Sequence, residues 1–255
     1  MNNKKVRSIG FGLFIVGTIL LAFIGAVSVW GDLEATVFNA AITRRDRLTT
    51  LKCPAVITTN ETGIVTASFY NPDDKSLDME TRTYVTDGYV VLMREIITKF
   101  TLAPGETSSV EVQVTADNAA YDRLILVRMH QQRRNPLPHR TASCGIMVVD
   151  IPFLTGTQFI ILVVSVGILL SSGGLAFWAL NTKPIVWERK KIFKTMIVFA
   201  AAALLMAALG LMGQWFVAIF IGIVWVLMGV EMIVRFSNQS KIMSRAHQKQ
   251  SDLNG

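Results

Sequence analysis

The stretch IGFGLFIVGTILLAFIGAVSVW, residues Ile9 to Trp30, contains no charged residue. It exceeds the roughly 20 residues an α-helix needs to cross ~30 Å of hydrocarbon. Three further runs of this kind follow: Phe153 to Leu180, Phe193 to Met212 and Trp215 to Phe236. Their only charged residues are Lys194 and Glu231, each near an end, apart from Arg235 at the very edge of the last. Between the first run and the second lie residues 31–152, whose composition is that of a water-exposed domain. The layout predicts four membrane helices with a single large domain inserted between the first two. The expected divisions are residues 1–30 for a basic tail and helix one, 31–152 for the domain and 153–180 for helix two. Residues 181–192 form a basic loop, 193–212 and 215–236 are helices three and four, and 237–255 form a tail.

Charge sets the expected orientation. The chain has 25 Lys+Arg and 18 Asp+Glu, a net of +7. Residues 31–152 hold 13 basic and 15 acidic residues, a net of −2, so the excess lies in the segments flanking the runs. Those flanking residues are Lys4, Lys5, Arg7, Lys183, Arg189, Lys190, Lys191, Lys194, Arg235, Lys241, Arg245 and Lys249. With both termini in the cytoplasm, all of them fall inside, as the positive-inside rule requires. The uncharged Gly213-Gln214 connection then becomes an outside hairpin, and the large domain lies outside. A domain with no net basic charge is not a nucleic-acid binder. The competing reading of the first run, a cleaved signal peptide ending near Ala26-Val27-Ser28, meets an apolar stretch longer than the usual ~7–15 residues. A retained anchor in a prokaryotic cell membrane is the reading adopted.

Within the domain the pattern changes to short alternating segments. Ile64 to Tyr70 is β-rich and is broken by Asn71-Pro72-Asp73-Asp74. Thr81 to Thr86 leads into Asp87-Gly88, a strong turn pair. Tyr89 to Leu102 suits one bent strand or two short ones, and Ala103-Pro104-Gly105-Glu106 turns the chain again. Val110, Val112 and Val114 alternate with polar residues, and Leu124–Met129 and Cys144–Val149 complete about seven strands. Strands at this spacing predict a β-sandwich.

Glu61-Thr62-Gly63, Phe69-Tyr70-Asn71-Pro72 and Leu102-Ala103-Pro104-Gly105-Glu106-Thr107 resemble the immunoglobulin-like domains of bacterial envelope proteins, over residues 55–116. In those domains the Asn-Pro and Pro-Gly-Glu stretches are turns between sheets. The resemblance implies a domain that holds proteins or sugars rather than one that performs chemistry, an analogy from fold alone.

Cys53 and Cys144, at opposite ends of the domain, are the only cysteines. Outside the cytoplasm such a pair is expected to form a disulfide. Closing that loop stabilises the domain by roughly 4–5 kcal/mol in the chain-entropy account. The histidines are His130, His139 and His247, without metal-ligand spacing, so no metal and no cofactor is expected. Neither Cys144 with His139, nor Ser143 with His139 and Asp150, forms a recognisable catalytic constellation, and no catalytic residue is assigned.

Other residues suggest binding. The polar, proline-stiffened loop Gln131 to Arg140, with Arg133, Arg134, His139 and Arg140, is a candidate for docking an acidic partner or lipid phosphates; its plain alternative is a solvated loop. A second basic cluster, Arg44, Arg45 and Arg47, follows the first run. Glu231 with Arg235, four residues on, reads as an interfacial ion pair rather than an ion path. Gly10 and Gly17, Gly167 and Gly174, Ala203 and Gly210, and Gly222 and Gly229 are each seven apart. That spacing holds a small residue on one face and lets helices approach closely. The expected function is a non-enzymatic accessory or scaffold subunit of a membrane assembly, in contact with lipid and with an integral-membrane or envelope protein. The alternatives are a transporter or channel component and a membrane enzyme or ligand sensor.

Overall fold

A computed structural model describes residues 3–37, 48–132, 140–181 and 187–252. Side chains at 3–5, 90–91, 187–189, 233 and 235–252 lie outside that description. The order is one helix, seven strands, three helices. Helix α1 spans Asn3–Val37, α2 Gly156–Leu180, α3 Trp187–Leu211 and α4 Trp215–Asp252. All four include a stretch long and apolar enough to cross a membrane.

Three helices outrun the apolar runs that announce them. α1 continues seven residues past Trp30, α3 starts six before Phe193, and α4 continues well past Phe236. Hydropathy reads hydrocarbon thickness, whereas a helix needs only good formers and no breaker. Glu188-Arg189-Lys190-Lys191 and residues 237–252 are polar but contain neither proline nor glycine, so the helices run on.

The strands are β1 Val56–Thr58, β2 Gly63–Tyr70, β3 Leu77–Asp87, β4 Tyr89–Leu102, β5 Thr107–Val114, β6 Leu124–Gln131 and β7 Arg140–Val149. They make a five-stranded sheet in the order β1-β7-β6-β3-β4 and a two-stranded sheet, β2-β5. β1 joins β7 in parallel and every other pairing is antiparallel. Tyr89–Leu102 is a single strand, its register shifted beside the Asp87-Gly88 turn, where Gly88 has φ +71°. That left-handed conformation favours glycine. Val65, Ala67, Phe69, Val110, Val112 and Val114 of the small sheet pack on Met79, Val85, Ile125, Val127, Met129 and Ile146 of the large one.

The two turns that carried the immunoglobulin-like resemblance are tied to each other. Asn71 is fully buried, and its Nδ2 donates to the carbonyls of Lys75, Leu102 and Ala103 at 2.8–3.1 Å. The Asn71 backbone N–H donates to Glu106 O, and Gly105 N–H donates to Asn71 O. A buried amide satisfied this way fixes both chain reversals at once.

One apolar cluster draws on all four helices: Phe14 of α1, Trp178 of α2, Met196 and Phe199 of α3 and Met232 of α4. α1 is the element on which the others pack: its most apolar window is 50% buried, against 17% for α2 and for α4. α2 lies on one face of α1, α3 lies on another, and α4 packs on α3 and more lightly on α1.

Candidate functional site at the junction of helix and sandwich

Two glycines let α1 pass from the helices to the sandwich without a break. A Cβ on Gly31 would lie 3.0 Å from Gly145 O, and one on Gly145 would meet Gly31 O. Backbone therefore rests on backbone where α1 crosses β7. One turn higher, Ala35 joins Ala120 and Leu126, with Met93 and Leu124 beside them. Leu126 lies on the face of β6 opposite the core residues Ile125 and Val127, so α1 docks on the outer face of the large sheet. The Gly145 N–H donates to Asp32 Oδ1 at 3.4 Å, and Thr36 Oγ1 donates to Asp32 O at 2.7 Å.

α2 is held as firmly. Its first N–H, on Gly156, donates to Glu61 Oε2 at 2.6 Å, and the same oxygen accepts from Thr58 N–H at 3.2 Å. A carboxylate at a helix N-terminus satisfies an otherwise orphaned donor and opposes the positive end of the dipole. Thr155 and Gln158 complete a reciprocal capping box there. The disulfide Cys53–Cys144 joins the segment before β1 to β7, with Cα atoms 6.5 Å apart.

Beside Asp32, Gly145 and the disulfide lies a cavity of about 530 Å³, between the top of α1, the α3–α4 turn and the underside of the sandwich. Ser28 and Asp32 of α1, Lys52, the disulfide, Ser143 and Gln214 line it. Ser28 is 5% exposed, and its Oγ has no hydrogen-bond partner. A second, almost wholly apolar groove of about 650 Å³ lies between α1 and α4, lined by Ala22, Ala26, Trp30, Ile219, Gly222 and Trp225 among others.

The outer face of the large sheet carries a cross-strand polar network. Tyr84 Oη donates to Glu95 Oε1 at 2.8 Å, and Arg82 bridges Glu80 at 3.2 Å and Glu95 at 3.5 Å. Lys99 lies 3.7 Å from Glu80, and the Arg128 guanidinium sits 5.9 Å from the centre of the Tyr84 ring. The hydrogen bond to Glu95, with burial, raises the Tyr84 hydroxyl above the usual tyrosine value. The bond to Glu80 holds Arg82 more firmly protonated. Such pairs are the ordinary cement of a sheet.

The small residues singled out by spacing lie at helix contacts. Cβ atoms on Gly10 and Gly174 would each crowd the other helix, Gly10 at 3.1 Å from Gly174 O and Gly174 at 2.6 Å from Gly10 O. Gly17 and Gly167 repeat the arrangement one step along, with Gly17 at 2.7 Å from Gly167 O. Ala203 is fully buried against Leu21 and Ala22, and Gly210 faces Gly25 and Ser28. Gly222 and Gly229 meet only side chains, those of Met206 and Phe199. Arg140 is the exposed first residue of β7, whereas Arg133, Arg134 and His139 lie outside the described residues, as do Arg44, Arg45 and Arg47. Glu231 is exposed, and the Arg235 side chain lies outside the described residues. Among the described residues no group of three His, Cys, Asp or Glu is placed to hold a metal.

Asp32, Glu61, Gly31, Gly145 and Gly156 carry the junction; only Glu61 falls in a stretch the sequence singles out, Glu61-Thr62-Gly63, and nothing there marks it as a helix cap. Gly31 reads there as the first residue of the domain after the apolar run, and Gly145 as one more residue of a strand. The one signal was a glycine in each of two elements bound to meet.

No family model matches the chain, and no curated protein matches it. Among solved structures it is similar to a CARDB domain from Pyrococcus furiosus, an immunoglobulin-like fold. The two are 14% identical with a TM-score of 0.31, covering 39% of this chain and 84% of that one. A β-glucosidase from Erythrobacter marinus is 17% identical with a TM-score of 0.30, covering 39% of this chain and 15% of that one. A β-glucosidase from Listeria innocua, solved with glucose, is 15% identical with a TM-score of 0.28, covering 38% of this chain and 15% of that one.

Proposed function

We propose that this chain is an integral membrane protein with both termini in the cytoplasm and the sandwich outside, and that it serves as a non-enzymatic scaffold subunit of a membrane assembly. The observation that carries the reading is the unbroken α1. At 35 residues and 1.5 Å per residue the helix is ~52 Å long. That exceeds the ~30 Å of hydrocarbon, so its upper part stands clear and docks on the sheet. Backbone contacts at Gly10, Gly17 and Gly31 join one rod to α2 and to the sandwich. A sandwich mounted this way presents its surface at a set height and angle to the membrane, which suits a part that positions a partner.

Alternating access needs bundles that rock against each other around a polar site. Here the interhelical cluster is Phe14, Trp178, Met196, Phe199 and Met232, an apolar set with no polar site among them. The exposed apolar faces of α2 and α4 leave room for a larger membrane subunit beside lipid. The test is purification from native membranes in mild detergent, followed by mass spectrometry. A stoichiometric membrane or envelope protein is expected. A solitary chain under conditions that preserve known complexes would remove the scaffold reading.

A further inference from the structure

The large sheet ends in an open edge. β4, at 14 residues the longest of the seven strands, pairs only with β3. In an antiparallel pair half of a strand's N–H and C=O groups point away from its neighbour. Among the described residues, those of Leu92 to Thr101 make no backbone hydrogen bond to any other element. Proteins commonly keep such an edge short, break it with proline or cover it. β1 has only three residues, and Lys52 bridges the outer side of β2 at Thr66. β4 has no proline, and its register shifts only at the hairpin, beside Thr86 and Asp87.

The edge also carries a chemical pattern. Ile96 and Phe100 are half-buried against the core, and Arg94, on the same side of the sheet, is exposed and in no ion pair among the described residues. On the outer face Ile97 is 49% exposed, and Lys99, also exposed, lies 3.7 Å from Glu80. The helices meet the sandwich at its other end: Gly156 of α2 abuts Val56 of β1, and the α3–α4 turn borders Ala142 to Gly145 of β7. From there the strand order runs β7-β6-β3-β4, and α1 climbs the same way, from Gly145 to Leu126 and Met93. With the helices in a membrane, as proposed above, the β4 edge faces away from it. Two copies in one membrane hold these edges pointing the same way, so neither can add to the other. A row of N–H and C=O groups ~34 Å long is matched by another extended polypeptide, not by a lipid or a sugar.

We propose that the β4 edge binds an extended segment of a partner protein as an added antiparallel strand, with acidic residues opposite Arg94 and Lys99 and apolar residues opposite Ile96, Ile97 and Phe100. This deepens the scaffold reading and rests on it for the choice of a partner over a second copy.

The test uses the full chain in mild detergent and a labelled, end-capped peptide, valine-glutamate-threonine-valine-isoleucine-threonine-glutamate. In an antiparallel strand its residues stand opposite Phe100 through Arg94 in order. Fluorescence anisotropy reads binding, and hydrogen exchange reads where it occurs. Slowed exchange is expected across Leu92 to Thr101 and not in β5. A scrambled peptide of the same composition should bind about tenfold more weakly. Arg94→Glu should weaken binding about fivefold, and a peptide with lysine for the final glutamate should restore it. Ile97→Lys should weaken binding about fivefold. Both residues are exposed, so both variants should keep the melting temperature of the parent. Equal binding of the scrambled peptide, slowed exchange in β5 instead of β4, or no rescue of Arg94→Glu by the lysine peptide overturns the proposal. Slowing at β4 that grows with protein concentration in the absence of peptide gives the edge to a second copy and overturns it too. Failure of the peptide on a chain that copurifies with a partner removes the edge and leaves the scaffold reading. Binding of the peptide by a chain that purifies alone supports the edge and removes the scaffold reading.

Discussion

Between the two sheets Phe69 meets Phe100 at 5.6 Å, and Ile125, Val127 and Met129 fill the space with side chains. Between α1 and α2 the corresponding space is taken by Gly10, Gly17, Gly167 and Gly174, and backbone touches backbone. With the helices in a membrane, as proposed above, the contrast follows from solvent. In water, burying apolar side chains is the main stabilising term. Among lipid tails a leucine gains nothing by leaving one apolar surrounding for another, so contact must come from close approach. The junction where α1 crosses β7 uses the second method as well: Gly31 and Gly145 meet backbone to backbone although one belongs to a sheet.

That comparison breaks most readily at Gly17. Gly17→Leu would drive its side chain into Ser171 and Gly167, and loss of monodisperse protein on gel filtration in detergent is expected. Gly12→Leu is the matched control, because a Cβ there meets nothing within 4 Å. Equal behaviour of the two variants would refute packing by small residues.

Next in size is the disulfide, which closes a separation of 91 residues. Cys53→Ala with Cys144→Ala should lower sandwich stability by about 4–5 kcal/mol in the entropy account, measured by denaturant unfolding. The helices should keep their far-ultraviolet signal. Ile125→Ala should cost about 2–5 kcal/mol in the same assay by leaving a cavity. A cost below about 1 kcal/mol would mean that the space between the sheets is less tightly filled than the contacts imply.

The smallest effect concerns Tyr84. Its folded-state pKa is raised, so its contribution to stability is present below the unfolded tyrosine value and is lost as pH rises through the folded one. Ultraviolet titration of Tyr84 should show it ionising above the usual tyrosine value, and Glu95→Gln should lower its pKa. A Tyr84 that ionises at the usual tyrosine value in both proteins would show that the Glu95 bond does not persist in solution.

Much of this architecture is legible in the order of residues alone. The apolar runs mark four helices because hydrocarbon thickness translates directly into a count of residues. Alternation at Val110, Val112 and Val114 marks a strand because successive side chains face opposite sides. The turn chemistry of Asn71-Pro72 and Pro104-Gly105 places chain reversals, although only the fold shows Asn71 clasping both. Ser28 gave no hint of its burial, since one serine in an apolar run is common.

The sequence by itself determined the number of long apolar helices, the strand-rich insertion between the first two and the identity of the two cysteines. Each depends on a residue and its near neighbours, and local periodicity records that. The tertiary structure alone decided that α1 continues into the sandwich, that Glu61 caps α2, and that Asp32 and Ser28 wall a cavity. Each of those needs two backbones brought together from distant parts of the chain, Asp32 and Gly145 standing 113 residues apart. No local pattern encodes such a pair, because the energy that selects it exists only once both elements have formed and met.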